Sequence, residues 1–401
     1  MKKGEKVKIC ALTTVQKTMD WFVVDSMRNL SNNGYGVTLV CNMDEEFIVQ
    51  NSDFAWCVDL KMTRGINLKN SVASIRALIK LFKREKFDII YYVTPNVSLC
   101  ASIAGVLAGV KLRVYSQCGL RYVSFTGAKR RIFKGLEKIT CMLSTYIRAQ
   151  SPMNMEFAVK EGLCKRDKIS VVGIGGTIGV DLTLCDAFDK SKKREEIKKQ
   201  YNIPQDAFVF GYVGRINTDK GIYELLSAFE KLETDNTYLM LIGMMDSMDL
   251  KTRQLVERAK ENPKIIFTGD IPKDKVYEYM SAFDVMVHPT YREGFGKVLQ
   301  EAMGMSIPII TTNVPGPCEV IEHGKSGVLV EAYDIEDLAE KMLYVYNNPE
   351  LRQNLSEIGR KRAETYFDRP IMLRNILCDM NKIVGISEVE QSEVNALNGQ
   401  S

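Results

Sequence analysis

The chain has 401 residues, more than one ordinary hydrophobic core accommodates, so two domains are expected. With 45% hydrophobic and 26% charged residues it reads as a soluble globular protein, and its longest weakly polar run, residues 97–110, is too short to span a membrane. A charged start, Met1-Lys2-Lys3-Gly4-Glu5-Lys6, speaks against a signal peptide, and ten cysteines without a CxxC pair or regular spacing speak for reduced thiols in a cytosol.

Short apolar runs alternate with helical periodicity along the chain, the pattern of βα units on parallel sheets. In the first half, strands are expected at 7–12, 37–41, 55–59, 88–93, 112–116, 146–149 and 169–172, with helices at 19–32, 70–85, 96–108 and 152–161. The stretch 173–200 breaks the pattern with Gly173, Gly175, Gly176 and Gly179, then a charged run, and reads as a linker. A second series follows, with strands at 207–213, 239–243, 265–268, 285–288, 307–311 and 328–330 and helices at 221–232, 250–262, 273–282 and 295–305. Residues 334–367 are helical in pattern, and Pro370 opens another apolar-periodic stretch, 371–384, expected to pack back on the first domain. The expected division is 1–180, a linker at 181–200, a second domain at 201–366, a crossover helix at 367–385 and a flexible tail at 386–401.

Charge is distributed unevenly: residues 1–200 carry 33 Lys and Arg against 19 Asp and Glu, whereas the remainder is acidic. Such a half either meets something anionic, a membrane surface or a phosphorylated partner, or merely solvates exposed faces. Lys129, Arg130, Arg131, Lys134 and Lys138 interleave with Ile132, Phe133, Leu136 and Ile139, which fits an interfacial helix or an ordinary amphipathic one. The basic runs lack interleaved aromatics, so no nucleic-acid partner is expected. Only two histidines occur, His288 and His323, which disfavours a multi-histidine metal site; neither metal nor cofactor is expected. His288 reads as a packed strand-end residue or as a ligand contact.

Two segments carry chemistry. In Gly211-Tyr212-Val213-Gly214-Arg215-Ile216-Asn217-Thr218-Asp219-Lys220-Gly221 an apolar strand ends at Gly214, and two cations flank the turn into the next helix. Ligands of parallel sheets bind beyond strand carboxyl ends, and helix N-termini favour anions, so Arg215 and Lys220 suit a diphosphate. In 289–302 a strand is followed by Glu293-Gly294-Phe295-Gly296-Lys297, and Glu301 comes two helical turns later. The glycines let backbone approach a ligand where a helix begins, and Glu301 suits paired sugar hydroxyls.

Arg215 and Lys220 followed by Glu293-x7-Glu301 resemble the signature of family 4 retaining glycosyltransferases. Asp284–Pro289, Glu301-Ala302-Met303, Pro308-Ile309-Ile310 and the glycine motif Gly316–Gly327 agree with it. Weaker likeness to members building bacterial capsule, O-antigen or exopolysaccharide lies in 60–64, 94–96, 119–122 and 175–181.

The resemblance implies the α/β GT-B fold: two Rossmann-like domains facing across a cleft, the first for the acceptor and the second for the nucleotide sugar, with a C-terminal helix crossing back. It also implies a nucleoside diphosphate sugar donor, a UDP-sugar by expectation, and a saccharide or undecaprenyl-diphosphate-linked saccharide acceptor. Arg215 and Lys220 would neutralise the diphosphate, Glu293 would contact the sugar, and Glu301 the ribose. Gly214, Gly294, Phe295, Gly296 and Lys297 would line the donor site, and Ile271 would hold the base. Thr14, Gln117 and Cys118 would face the acceptor. The expected setting is the cytoplasm, at the inner face of the plasma membrane. Departures are Cys118-Gly119 where many relatives carry His-Gly, Ser306 where glycine is usual, and Thr13–Gln16 without the common glycine pair. Rival readings are a sugar-nucleotide hydrolase or epimerase on the same scaffold and a non-catalytic partner subunit.

Overall fold

The computed structural model describes residues 6–62, 68–232 and 234–386. Two compact units emerge, Met1–Ile178 with Pro370–Ser401, and Gly179–Arg369. The first holds seven strands: β1 (Lys8–Val15), β2 (Gly36–Asn42), β3 (Ala55–Asp59), β4 (Ile89–Tyr92), β5 (Leu112–Gln117), β6 (Tyr146–Ala149) and β7 (Ile169–Val171). The second holds six: β8 (Phe208–Val213), β9 (Thr237–Ile242), β10 (Ile265–Gly269), β11 (Val285–His288), β12 (Ile309–Thr312) and β13 (Val328–Val330).

All pairings are parallel, in the orders β3-β2-β1-β4-β5-β6-β7 and β10-β9-β8-β11-β12-β13. Both are doubly wound arrangements that reverse direction once, at β1/β4 and at β8/β11. Sheets covered by helices on both faces need strands that are apolar on both faces, as in β1, where Ile9, Cys10, Ala11 and Leu12 are all fully buried. Every expected strand is present.

Several helices differ from their expected extents for local reasons. The stretch 19–32 forms two helices, Gln16–Phe22 and Val24–Asn32, broken at the β-branched pair Val23-Val24, where Val23 leaves the helical region at φ −128°. The helix expected from 295 begins at Lys297, because Gly296 takes φ 101°.

Residues 181–200 carry the helices Leu182–Cys185 and Lys190–Gln200 within the second unit. Asp181 and Asp189 cap them. Arg194 docks the longer one, with both oxygens of Asp284 at 2.8 and 2.9 Å.

The helix Arg369–Val384 belongs to the first unit, where Met372, Ile376, Leu377 and Met380 are buried. Asp379 pairs with the buried Arg148, and Tyr35 donates to Asn381 at 2.6 Å. Of the expected features, Thr63 and Arg64 of the 60–64 segment and tail residues 387–401 lie outside the described residues.

Candidate active site

In the second unit the two loops that leave β8 and β11 are laced together. The Asn217 side chain accepts the Lys220 backbone N–H at 3.1 Å. The Tyr291 N–H donates to the Asp219 carbonyl at 2.9 Å, and Arg292 pairs with the Asp219 carboxylate at 2.5 Å. Gly221, at φ 67°, passes so close to Pro289 that a Cβ would stand 1.9 Å from the Pro289 carbonyl oxygen. This approach sets the Lys220 ammonium against Glu293, and the two form an ion pair through Oε2.

Glu293 Oε1 accepts the Gly294 N–H at 3.0 Å. His288 Nε2 lies 3.9 Å from Glu293 Oε2, beyond hydrogen-bond reach, and neither ring nitrogen of the buried His288 has a hydrogen-bond partner among the described residues. Its ring stacks on Tyr212, centroids 5.6 Å apart and planes at 14°.

Burial alone would raise the Glu293 carboxyl. The Lys220 ammonium, with His288 beside it, outweighs that effect and holds the acid well below the usual carboxylate range. Burial holds the His288 imidazole below its ordinary value against the pull of Glu293, so it is neutral at pH 7. The result is one ionised carboxylate between a cation and a neutral ring.

Beyond Gly296 the helix Lys297–Gly304 starts, and the N–H groups of a first turn have no intrahelical acceptor. With the helix dipole they make its start attractive to anions. Lys297 bonds Glu301 at 2.8 Å, both side chains being almost fully buried. Arg215 is half-exposed and pairs with Asp246 at 2.5 Å; its carbonyl accepts from the Tyr212 hydroxyl at 2.8 Å. Gly214 follows β8 directly.

The Phe295 ring is buried against Phe367, centroids 5.7 Å apart, so this residue has only backbone to offer a donor. Ile271 lies beyond the carboxyl end of β10, two strands from β8 on the same sheet edge. The structure thus joins Lys220 to Glu293 and Lys297 to Glu301, while Arg215 is engaged elsewhere. His288, Asp246, Asn217 and Asp219 complete the constellation. Only His288 gave any sequence signal, as a strand-end residue before the glutamate.

In the first unit the acceptor candidates also lie at strand carboxyl ends. Thr14 and Thr94 hydroxyls meet at 2.6 Å where β1 and β4 diverge. Gln117 donates to Glu137 at 2.8 Å. The Cys118 thiol is exposed, with the Gln150 amide nitrogen 3.5 Å from its sulfur. Sequence reasoning missed Glu137, a buried acid that also accepts from Tyr115 at 2.9 Å. Among the described residues no three His, Cys, Asp or Glu side chains cluster as metal ligands would, and no helix is long and apolar enough to cross a membrane.

The comparisons with known proteins fit this geometry. Residues 193–362 match the model of glycosyl transferases group 1, and residues 8–151 that of the glycosyl transferase 4-like family. The capsular polysaccharide biosynthesis glycosyltransferase CapM of Staphylococcus aureus is 31% identical over 383 residues, 95% of this chain and 98% of the relative. The UDP-Gal:alpha-D-GlcNAc-diphosphoundecaprenol alpha-1,3-galactosyltransferase of Escherichia coli is 26% identical over 330 residues, 79% of this chain and 81% of the relative. Among solved structures, Anabaena HepE in complex with UDP and glucose superposes with a TM-score of 0.77 over 94% of this chain and 99% of that one. Its 17% identity speaks to the fold alone. With both units matched and a relative aligned over nearly its whole length, the chain belongs to the group 1, family 4 glycosyl transferases and is a glycosyltransferase of the GT-B fold.

Proposed function

We propose that the protein transfers a sugar, with retention of anomeric configuration, from a UDP-sugar to a saccharide carried on undecaprenyl diphosphate, in the synthesis of a surface polysaccharide. The observation that carries this reading is the meeting of Lys220 and Glu293 where β8 and β11 diverge, just ahead of the helix Lys297–Gly304. The UDP and glucose bound to HepE and the diphosphoundecaprenol acceptor named for the E. coli relative support the choice of donor and acceptor.

In this reading the second domain, 201–366, holds the donor and the first, 1–180, the acceptor. The bond between the anomeric carbon and the β-phosphate oxygen breaks, and charge develops on that oxygen. Lys220, Arg215 and the helix start stabilise this charge more than the intact donor. The same oxygen takes the proton of the acceptor hydroxyl, whose oxygen bonds the anomeric carbon on the face being vacated. Glu293 orients the transferred sugar, and Glu301 holds the ribose. Gly214, Gly294, Gly296, the Phe295 backbone and Lys297 line the site, with Ile271 at the base. Thr14, Gln117 and Cys118 face the acceptor. No metal has a part in this scheme. An acceptor anchored in lipid places the protein at the cytoplasmic, anionic face of the membrane, which the basic excess of residues 1–200 supports.

The test is transfer from a panel of UDP-sugars to a polyprenyl-diphosphate saccharide, for the protein and for Glu293→Ala. Loss of transfer is expected in a variant that still unfolds cooperatively, at a midpoint lowered by the missing ion pair with Lys220. Undiminished turnover by the variant would reject the role of Glu293, and free sugar released without acceptor would identify a hydrolase.

A further inference from the structure

We infer that the protein docks on an anionic lipid bilayer through an apolar ridge on the solvent side of the helix Gly127–Leu143. The inference rests on the lipid-linked acceptor reading and names the surface that reading requires. From sequence alone this helix has one basic and one apolar face, and the structure divides its residues differently. Glu137, Thr140 and Cys141 are buried. Lys134 and Arg130 turn back to Glu161, at 2.8 and 3.6 Å, and Lys129 sits over the Phe125 ring.

Facing outward instead are Ala128, Ile132, Gly135, Ile139 and Met142, all exposed. Their alternating spacing of four and three lays them along one stripe of the helix. Ile132 and Met142 are 60% and 64% accessible, large values for apolar side chains held on a rigid helix. A Cβ on Gly135 would meet nothing within 4 Å, so packing among the described residues gives no reason for that glycine. Val106 and Leu107, at the end of the neighbouring helix Pro95–Ala108, are exposed as well.

Charge selects the occupant. Arg131 and Lys138 are exposed and flank the ridge on one side. The helix has a single acidic residue, Glu137, and its carboxylate is turned inward to Tyr115 and Gln117. The outer side is therefore apolar and cationic without an anion. A second copy docked antiparallel through the same ridge would set Arg131 and Lys138 against their own counterparts. An anionic headgroup layer supplies the opposite charge, and the acyl boundary beneath it takes the isoleucines and Met142.

The full-length protein is floated with vesicles of phosphatidylcholine alone and of phosphatidylcholine mixed with phosphatidylglycerol, at low and high salt. UDP affinity is followed in parallel by calorimetry. The wild type is expected to float with the phosphatidylglycerol vesicles at low salt and to detach at high salt. The double variant Ile132→Glu/Ile139→Glu should lose about ten-fold or more of the bound fraction, and Arg131→Glu/Lys138→Glu the salt-sensitive part. Both should keep the melting curve and UDP affinity of the wild type, since these side chains are exposed. Failure of the wild type to float at low salt, or equal flotation of the ridge variants, would overturn the inference. So would a dimer in sedimentation that the isoleucine variant dissolves, because the ridge would then be a contact between copies. A protein that floats as expected yet transfers no sugar keeps its docking surface while the transfer reading falls.

Discussion

The ammonium of Lys220 donates to Oε2 of Glu293, and this bond joins the contacts of Asp219 with Tyr291 and Arg292 in tying the loop after β8 to the loop after β11. His288 Nε2 stands 3.9 Å from the same oxygen. When a diphosphate draws Lys220 away, the neutral imidazole is the next group placed to hold the carboxylate. His288→Phe keeps the stack on Tyr212 but removes the donor. It should leave UDP affinity within about two-fold and lower kcat about ten-fold or more, the worth of a hydrogen bond to a charged group. His288→Gln should recover part of kcat. Equal losses of UDP affinity and kcat would show that the ring is only structural.

Stability should carry the mark of the same carboxylate. Glu293 is held below the usual range in the folded protein, so its contribution is present in full above the unfolded carboxyl pKa of about 4.3. As pH falls further the unfolded chain takes up the proton first, and the contribution is lost on the way down to the folded value. Glu293→Gln lacks this contribution. Urea unfolding should show a gap between wild type and variant that is level at neutral pH and narrows below about pH 4. A gap that stays constant into acid would dismiss this electrostatic account.

Gly221 tests whether the close approach of the two loops positions Lys220. Alanine there must adopt φ 67° and place its Cβ against the Pro289 carbonyl. The strained backbone and the overpacking together should cost roughly 2–4 kcal/mol in urea unfolding. UDP affinity should fall more than in a surface variant of equal stability. Normal UDP affinity in a destabilised Gly221→Ala protein would detach the phosphate grip from this contact.

The extent to which all this was legible in sequence follows from what each feature needs. The thirteen strands were readable as short apolar runs, unbroken in central strands such as β1 that are buried on both faces. Lys220 and Glu293 were readable as a motif, since the glycines around them mark where strand turns to helix. Their partners were not. Asp246 sits in a methionine-rich loop without periodicity, and nothing local ties it to Arg215 across 31 residues. The charged stretch 181–200 looked like a linker because the satisfaction of Arg194 at Asp284 is a tertiary fact. Glu137 was hidden for the same reason, being one acid in a basic helix whose direction only the fold decides.

The Arg215 pair bears directly on donor affinity. Arg215 and Asp246 are 2.5 Å apart with both side chains substantially exposed, and such pairs contribute about 0–1 kcal/mol. Asp246→Asn should therefore leave the melting temperature nearly unchanged and tighten UDP binding by up to about three-fold, as the guanidinium no longer has to exchange partners. Arg215→Ala should weaken UDP about ten-fold. Calorimetry with UDP decides both, and weaker binding by Asp246→Asn would mean that the carboxylate orients the arginine.

Glu137 gives a prediction of opposite sign to that of Glu293. Its Oε1 accepts from Tyr115 at 2.9 Å and from Gln117 at 2.8 Å, and burial, outweighing both donors, holds the carboxyl above its ordinary value. The folded protein therefore keeps this proton to higher pH than the unfolded chain does. Stability falls as pH rises from the unfolded pKa of about 4.3 to the folded value, and is level beyond it. Glu137→Gln retains an accepting oxygen and the volume but does not titrate, so it should be more stable than the wild type at neutral pH, with the difference vanishing toward pH 4 or so. Glu137→Ala removes the acceptor that Tyr115 and Gln117 share, leaving Gln117 only the Cys141 sulfur at 3.8 Å, and should lose about 1–3 kcal/mol. Urea unfolding of the three proteins across this range measures both effects. A glutamine variant no more stable than wild type at neutral pH would show that the two donors fully offset the burial of the charge.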